Sequence, residues 1–166
     1  MHATFAPKSS ITDEFDYPML VEQARAITSG EPDLIANLSN LSALVYDQLD
    51  DVNWVGFYLV REPELLVLGP FQGKVACIRI PFTQGVCGAA ARTHETQLVH
   101  DVHEFPGHIA CDAASNSEVV VPLIVKDKVV AVFDIDSPTV GRFSERDAAG
   151  LSQLGRFMES LNWTSL

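Results

Sequence analysis

From Tyr17 onward the apolar residues recur at helical spacing, with Leu20, Ala24 and Ile27 forming one stripe that Ser29-Gly30 stops. Pro32 opens a second such segment, whose stripe runs Leu34, Leu38, Leu41, Val45 and Leu49. Both predict amphipathic helices that need a sheet or another helix to cover them. At Asn53 the period changes. Trp54-Val55-Gly56-Phe57-Tyr58-Leu59-Val60 is aromatic and β-branched, and Arg61-Glu62-Pro63-Glu64 turns it into a strand from Leu65 to Leu68, which Gly69-Pro70 and Gly73 punctuate. Further expected elements are a strand at Val75 to Ile80, one or two helical turns over Gly85 to Arg92 and a weak strand at Gln97 to Val99. Glu118 to Val125 and Val129 to Ser137 predict a second hairpin across Lys126-Asp127-Lys128. A last helix starts at Ser144, with Asp147 three on as a weaker form of the capping box, and buries Ala148, Leu151, Leu154, Met158 and Leu161. This order predicts an α+β fold, an antiparallel sheet with helices packed on one face. The polar, patternless start predicts a flexible N-terminus over residues 1–16, followed by a single domain over 17–166.

Charge narrows the partners. Eleven Lys and Arg against 22 Asp and Glu give a formal charge of −11, so a phosphate backbone is repelled and nucleic acid is not an expected partner. The longest apolar run, Val119 to Val125, is far short of the roughly 20 residues that span a bilayer, which predicts no membrane partner. Met1 to Phe15 has neither the basic start nor the apolar core of a signal peptide, which predicts a cytoplasmic, reducing location where cysteines are catalytic, metal-bound or inert rather than structural bridges.

The candidate chemistry centres on the stretch from Gly107 to Glu118, inside a segment, His100 to Ser117, with no regular period. There Cys111 sits among small residues, carboxylates and two histidines, His103 and His108. Small polar side chains supply little apolar area for burial, so the stretch reads as an active-site loop. Asp112 would raise the thiol's pKa, whereas a helical turn starting there would lower it. Cys77 and Cys87 lie upstream, each also explicable as a small buried hydrophobe. Asp134 and Asp136 are two apart in a strand and share one face, with Phe133 and Ile135 on the other, and Glu118 opens the partner strand. Such acids either meet a ligand cation, share a proton, or form a solvated sheet face. Trp54 and Tyr58, four apart in a strand, point the same way, which pattern alone explains as core packing. The histidine and cysteine spacing matches no zinc finger or ribbon, so no metal and no cofactor is expected.

Asn53-Trp54-Val55-Gly56-Phe57-Tyr58, Gly69-Pro70-Phe71-Gln72-Gly73, Cys77-Ile78-Arg79-Ile80-Pro81, Gly85-Val86-Cys87-Gly88, the Gly107 to Glu118 loop and Asp134-Ile135-Asp136-Ser137 together resemble the free methionine-(R)-sulfoxide reductases, enzymes built on a GAF fold. The resemblance covers roughly Ala36 to Leu161. It implies a GAF-like sheet with a ligand pocket under loops on the face opposite the helices. It also implies thiol-dependent reduction of free L-methionine-(R)-S-oxide through a cysteine sulfenic acid and an intramolecular disulfide, with thioredoxin as reductant and a homodimeric assembly. On the same ground Cys111 is the catalytic cysteine, Cys77 the preferred resolving thiol and Cys87 a second thiol able to take over or relay the disulfide. Trp54, Tyr58, Glu118, Asp134 and Asp136 bind substrate. The alternative is a non-catalytic GAF module that senses a small ligand.

Overall fold

The computed structural model describes residues 14–109 and 114–166. Its centre is a six-stranded sheet, antiparallel throughout, in the order β3-β2-β1-β6-β5-β4. The strands are β1 (Trp54–Glu62), β2 (Leu65–Gly73), β3 (Arg79–Pro81), β4 (Gln97–Val99), β5 (Ser117–Val125) and β6 (Lys128–Ser137). Period-two alternation divides each central strand between two cores. Val55, Phe57 and Leu59 of β1, with Phe133 and Ile135 of β6, face three helices: α1 (Tyr17–Thr28), α2 (Leu34–Gln48) and α4 (Glu145–Met158). Phe57 and Phe133 are register partners and their rings stack at 4.8 Å between centroids. Trp54 and Tyr58 face the other side, in a second cluster with Ile80, Val86, Val120 and Val132.

The helix ends follow the polar residues expected to cap them. Asp16 accepts from Met19 N, Asp33 from Ala36 N, and Ser144 with Asp147 makes the reciprocal capping box. Before α1, Glu14 pairs with Arg146 and Phe15 packs edge-on to Tyr17. Among the described residues, no helix is long and apolar enough to cross a membrane.

Three features differ from the sequence expectation. β2 does not end at Leu68 but runs through Gly69-Pro70 to Gly73. The register shifts there, Gly56 opposing Phe71 and Tyr58 opposing Leu68, so Gly69 and Pro70 together face the single residue Phe57. Such a bulge is where a strand tolerates proline. The strand expected from Val75 shrinks to Arg79–Pro81, because β3 pairs only with Leu65 to Val67. Lys74 to Ile78 is left irregular. Finally, the short helix α3 (Gly85–Thr93) lies against β5 and β6 on the face opposite the other helices, in the cluster with Trp54 and Tyr58. Its glycines and alanines permit close approach, for a Cβ on Gly88 would stand 2.7 Å from Phe82 O.

Candidate active site

The face covered by α3 carries the acids. Strand pairing sets Trp54 opposite Asp136 and Asp136 opposite Glu118, so one transverse row of the sheet reads aromatic, acid, acid; Asp134 follows two residues along β6, opposite Gly56 and Val120. All three carboxyls are buried, with exposures of 7% for Glu118, 5% for Asp134 and 9% for Asp136. Their oxygens lie within 4.8 Å of one another. The missing side chain of Gly56 makes room beside them: a Cβ there would meet Phe71 Cβ at 2.3 Å and Trp54 Cη2 at 2.8 Å. Trp54 stacks on Phe71 and on Tyr58, at 5.2 and 5.8 Å between centroids. The result is an apolar aromatic wall next to a buried acidic floor, around a cavity of about 560 Å3 with its open mouth included.

The same aromatics hold the irregular Lys74–Ile78 segment at the pocket. Trp54 Nε1 donates to Lys74 O at 3.2 Å, and Tyr58 OH donates to Cys77 O at 3.0 Å. Cys77 is engaged in a disulfide, whereas Cys87, in the first turn of α3, is a buried free thiol. Cys87 Sγ donates to Asp134 Oδ2 at 3.7 Å. Cys111 falls outside the described residues, with Ala110, Asp112 and Ala113.

A GAF domain family model matches residues 35–160. The free methionine-R-sulfoxide reductase of Escherichia coli (strain K12) is 52% identical over 145 residues, 87% of each chain. The structure of fRMsr of Staphylococcus aureus in complex with substrate has 47% identity and a TM-score of 0.84, over 90% of this chain and 97% of that one. The Neisseria meningitidis free methionine-R-sulfoxide reductase, in complex with its substrate, matches at a TM-score of 0.87 and 39% identity, over 99% and 98%. The chain belongs to the GAF-domain free methionine-R-sulfoxide reductases.

In this reductase-family pocket the electrostatics are dominated by burial. Burial pushes the pKa of Asp134 up from the usual carboxylate range, and repulsion from Glu118 adds to it. Asp136 is raised likewise, by burial first and then by Asp134 and Glu118. Among the described residues, Asp134 Oδ1 has no hydrogen-bond partner, and the contacts among the three carboxyls become hydrogen bonds only when one of them carries a proton. Protonation answers both the desolvation and the missing donor. Cys87 titrates upward as well, from burial and then from Asp134, Glu118 and Asp136. A helix N-terminus would favour its thiolate, but the carboxylates and the loss of water prevail, and Cys87 remains a thiol that donates. Tyr58 is raised by burial and then by Asp134, so its hydroxyl also stays a donor.

The structure thus brings together Trp54, Tyr58, Cys87, Glu118, Asp134 and Asp136 around one cavity. His108 joins them as a lining residue, whereas exposed His103 is bonded to Asp101 at 2.9 Å through Nδ1. Val86, Ile109 and Ser115 also line the pocket; they fall in stretches that the sequence singles out, but no role is assigned to them there. Ile109 lies 3.4 Å from where a Cβ on Gly85 would be, and Gly85 N donates to Gly107 O at 3.1 Å, fastening the loop to the start of α3. Gly85 has φ +67, a backbone value that glycine adopts without strain, and it is the only trace of this contact in the sequence.

Proposed function

We propose that the chain reduces free L-methionine-(R)-S-oxide to L-methionine. The observation that carries this reading is the pairing of three buried carboxyls with the Trp54–Tyr58 wall in one cavity. A sulfoxide amino acid has matching parts: an apolar methyl to lie on the aromatic rings, an ammonium to neutralise the acidic floor, and an S=O oxygen that must receive a proton. Burial and mutual repulsion raise the carboxyls of Asp134 and Asp136, which suits either of them to hold and donate such a proton.

In this mechanism the Cys111 thiolate attacks the substrate sulfur while the protonated carboxyl group donates to the oxygen. The S–O bond breaks, methionine leaves, and Cys111 retains the oxygen as a sulfenic acid. Cys77 then attacks that sulfur, water departs, and a Cys111–Cys77 disulfide stores the two oxidising equivalents. Thioredoxin returns two electrons and two protons by dithiol exchange. The free thiol of Cys87 and the disulfide-bonded state of Cys77 support Cys77 as the resolving residue, with Cys87 kept as a donor to Asp134.

Single-turnover release of methionine tests the assignment. Cys111→Ser abolishes the burst. Cys77→Ser gives one methionine per enzyme and then stalls as a sulfenic acid that dimedone labels. A full burst from Cys111→Ser overturns the choice of nucleophile, and binding of the sulfoxide without any methionine from the wild type favours a sensor module instead.

A further inference from the structure

The irregular segment between β2 and β3 has a surface that the pocket does not use. Cys77 and Ala76 are half-buried, while Lys74, Val75, Ile78 and Arg79 around them are exposed, Val75 at 89% and Ile78 at 59%. Val75 and Ile78 are the two most exposed large hydrophobic side chains among the described residues, and they stand on both sides of a disulfide-bonded cysteine. Tyr58 and Trp54 hold the carbonyls of Cys77 and Lys74 inward. That anchorage leaves Val75 and Ile78 presented outward rather than folded onto the pocket.

Charge marks the same place. The chain as a whole carries −11, yet no Asp or Glu occurs between Glu64 and Glu95, and Lys74 and Arg79 fall inside that stretch. Along the chain, the Cys77 segment is thus an apolar spot with basic flanks in an otherwise acidic protein. A partner that must reach Cys77 Sγ has to match both.

We infer that Lys74, Val75, Ile78 and Arg79 form the docking surface for a dithiol protein reductant of the thioredoxin type, whose own contact face is apolar and rimmed by acidic residues. The inference rests on the redox cycle proposed above and adds where the reductant sits and which sulfur it attacks. The reductant's nucleophilic thiolate attacks Cys77 Sγ, forming an intermolecular disulfide and expelling the other cysteine of the pair, Cys111 in that cycle, as a thiolate that takes up a proton. The reductant's second thiol then attacks its own mixed disulfide, releasing Cys77 as a thiol and leaving the reductant oxidised. Apolar contact through Val75 and Ile78 aligns the three sulfurs. Lys74 and Arg79 raise the encounter rate with an acidic partner.

The test compares two reductants on the full chain: a bacterial thioredoxin with its reductase and NADPH, and dithiothreitol, which needs no docking surface. Val75→Ser with Ile78→Ser is expected to raise KM for thioredoxin at least tenfold while leaving turnover with dithiothreitol within twofold of wild type. Lys74→Glu with Arg79→Glu is expected to raise the same KM at low ionic strength and to lose that difference in 0.5 M salt. A thioredoxin variant lacking its resolving cysteine is expected to trap on Cys77. Unchanged thioredoxin KM in both double variants overturns the inference, as does trapping on another cysteine or efficient recycling by glutaredoxin alone. A shift in oligomeric state of the Val75/Ile78 variant with unchanged thioredoxin KM assigns the patch to a second copy and also overturns it. Absence of turnover with dithiothreitol in the wild type would count against the reductase mechanism, a result separable from all of these.

Discussion

Asp136 shows what burial does to a single side chain in this fold. It is buried between Trp54 on β1 and Glu118 on β5, with Asp134 on the same strand face, so a negative charge there is poorly solvated and has two other acids beside it. Burial and the neighbouring acids raise its folded-state pKa. The unfolded chain releases the same proton near pH 3.9, so above that value the native state binds more protons than the unfolded one and stability falls with rising pH. The contribution of this acid is intact below the unfolded value and is lost as pH climbs toward the raised folded one. Asp136→Asn removes the titration. The variant is expected to gain in melting temperature relative to wild type as pH goes from 5 to 8, a trend that differential scanning calorimetry reads directly; a variant that loses ground over that interval would show that Asp136 is held ionised. Activity should move the other way. Asp136→Asn and Glu118→Gln each lower kcat/KM at least ~10-fold, equivalent to about 1.4 kcal/mol of transition-state binding, because each alters the charge or the proton and leaves the volume unchanged. Unchanged kinetics in both would return the acids to a purely structural role.

At the scale of elements, the two faces of the sheet make separable predictions. Gly56 lies on the pocket face and a Cβ there would meet both Cβ and Cα of Phe71, the latter backbone that cannot rotate away. Gly150 lies in α4 on the opposite face, where a Cβ would come within 2.1 Å of the Tyr17 ring. Alanine at either position overpacks a close contact and costs about 1–3 kcal/mol. Only Gly56→Ala is expected to raise KM for the sulfoxide, since it pushes Trp54; folded Gly150→Ala should keep wild-type kcat/KM. Equal kinetic damage from both would mean that the two cores are not independent. Much of this layering is legible in the sequence. Phe133-Asp134-Ile135-Asp136 alternates in chemistry, so strand period alone separates acids from core, and the Ser144–Asp147 box marks the start of α4. What is not legible depends on a partner strand or a distant loop. The Gly69-Pro70 bulge exists only because β1 lies alongside, the side of the sheet taken by α3 depends on the space left by Gly85, Gly88 and the alanines, and Ile109 becomes a pocket wall only through Gly85. None of these leaves a periodic signal.

For the whole molecule, the consequence is substrate size. The cavity is bounded by the sheet on one side and by α3 with the segment around His108 and Ile109 on the other, so what enters must fit between a strand face and a loop. In the proposed mode of binding, a free amino acid brings an ammonium that offsets whatever negative charge the cluster of Glu118, Asp134 and Asp136 retains. A residue within a peptide has exchanged that ammonium for an amide and extends in both directions. The loss is asymmetric, because a buried carboxylate facing an amide keeps its desolvation cost without its counter-charge. A deficit of about 3 kcal/mol corresponds to ~10²-fold. Free methionine-R-sulfoxide is therefore expected to be reduced at least ~10²-fold more efficiently, in kcat/KM, than the acetylated and amidated sulfoxide, both assayed with dithiothreitol so that reductant docking does not enter. Blocking one end at a time locates the cause: acetylation of the amine alone should account for most of the loss, since the proposed mode of binding sets the acids against the ammonium. If amidation of the carboxylate alone does the greater damage, the buried acids do not recognise the ammonium, and their place in the site reduces to supplying the proton.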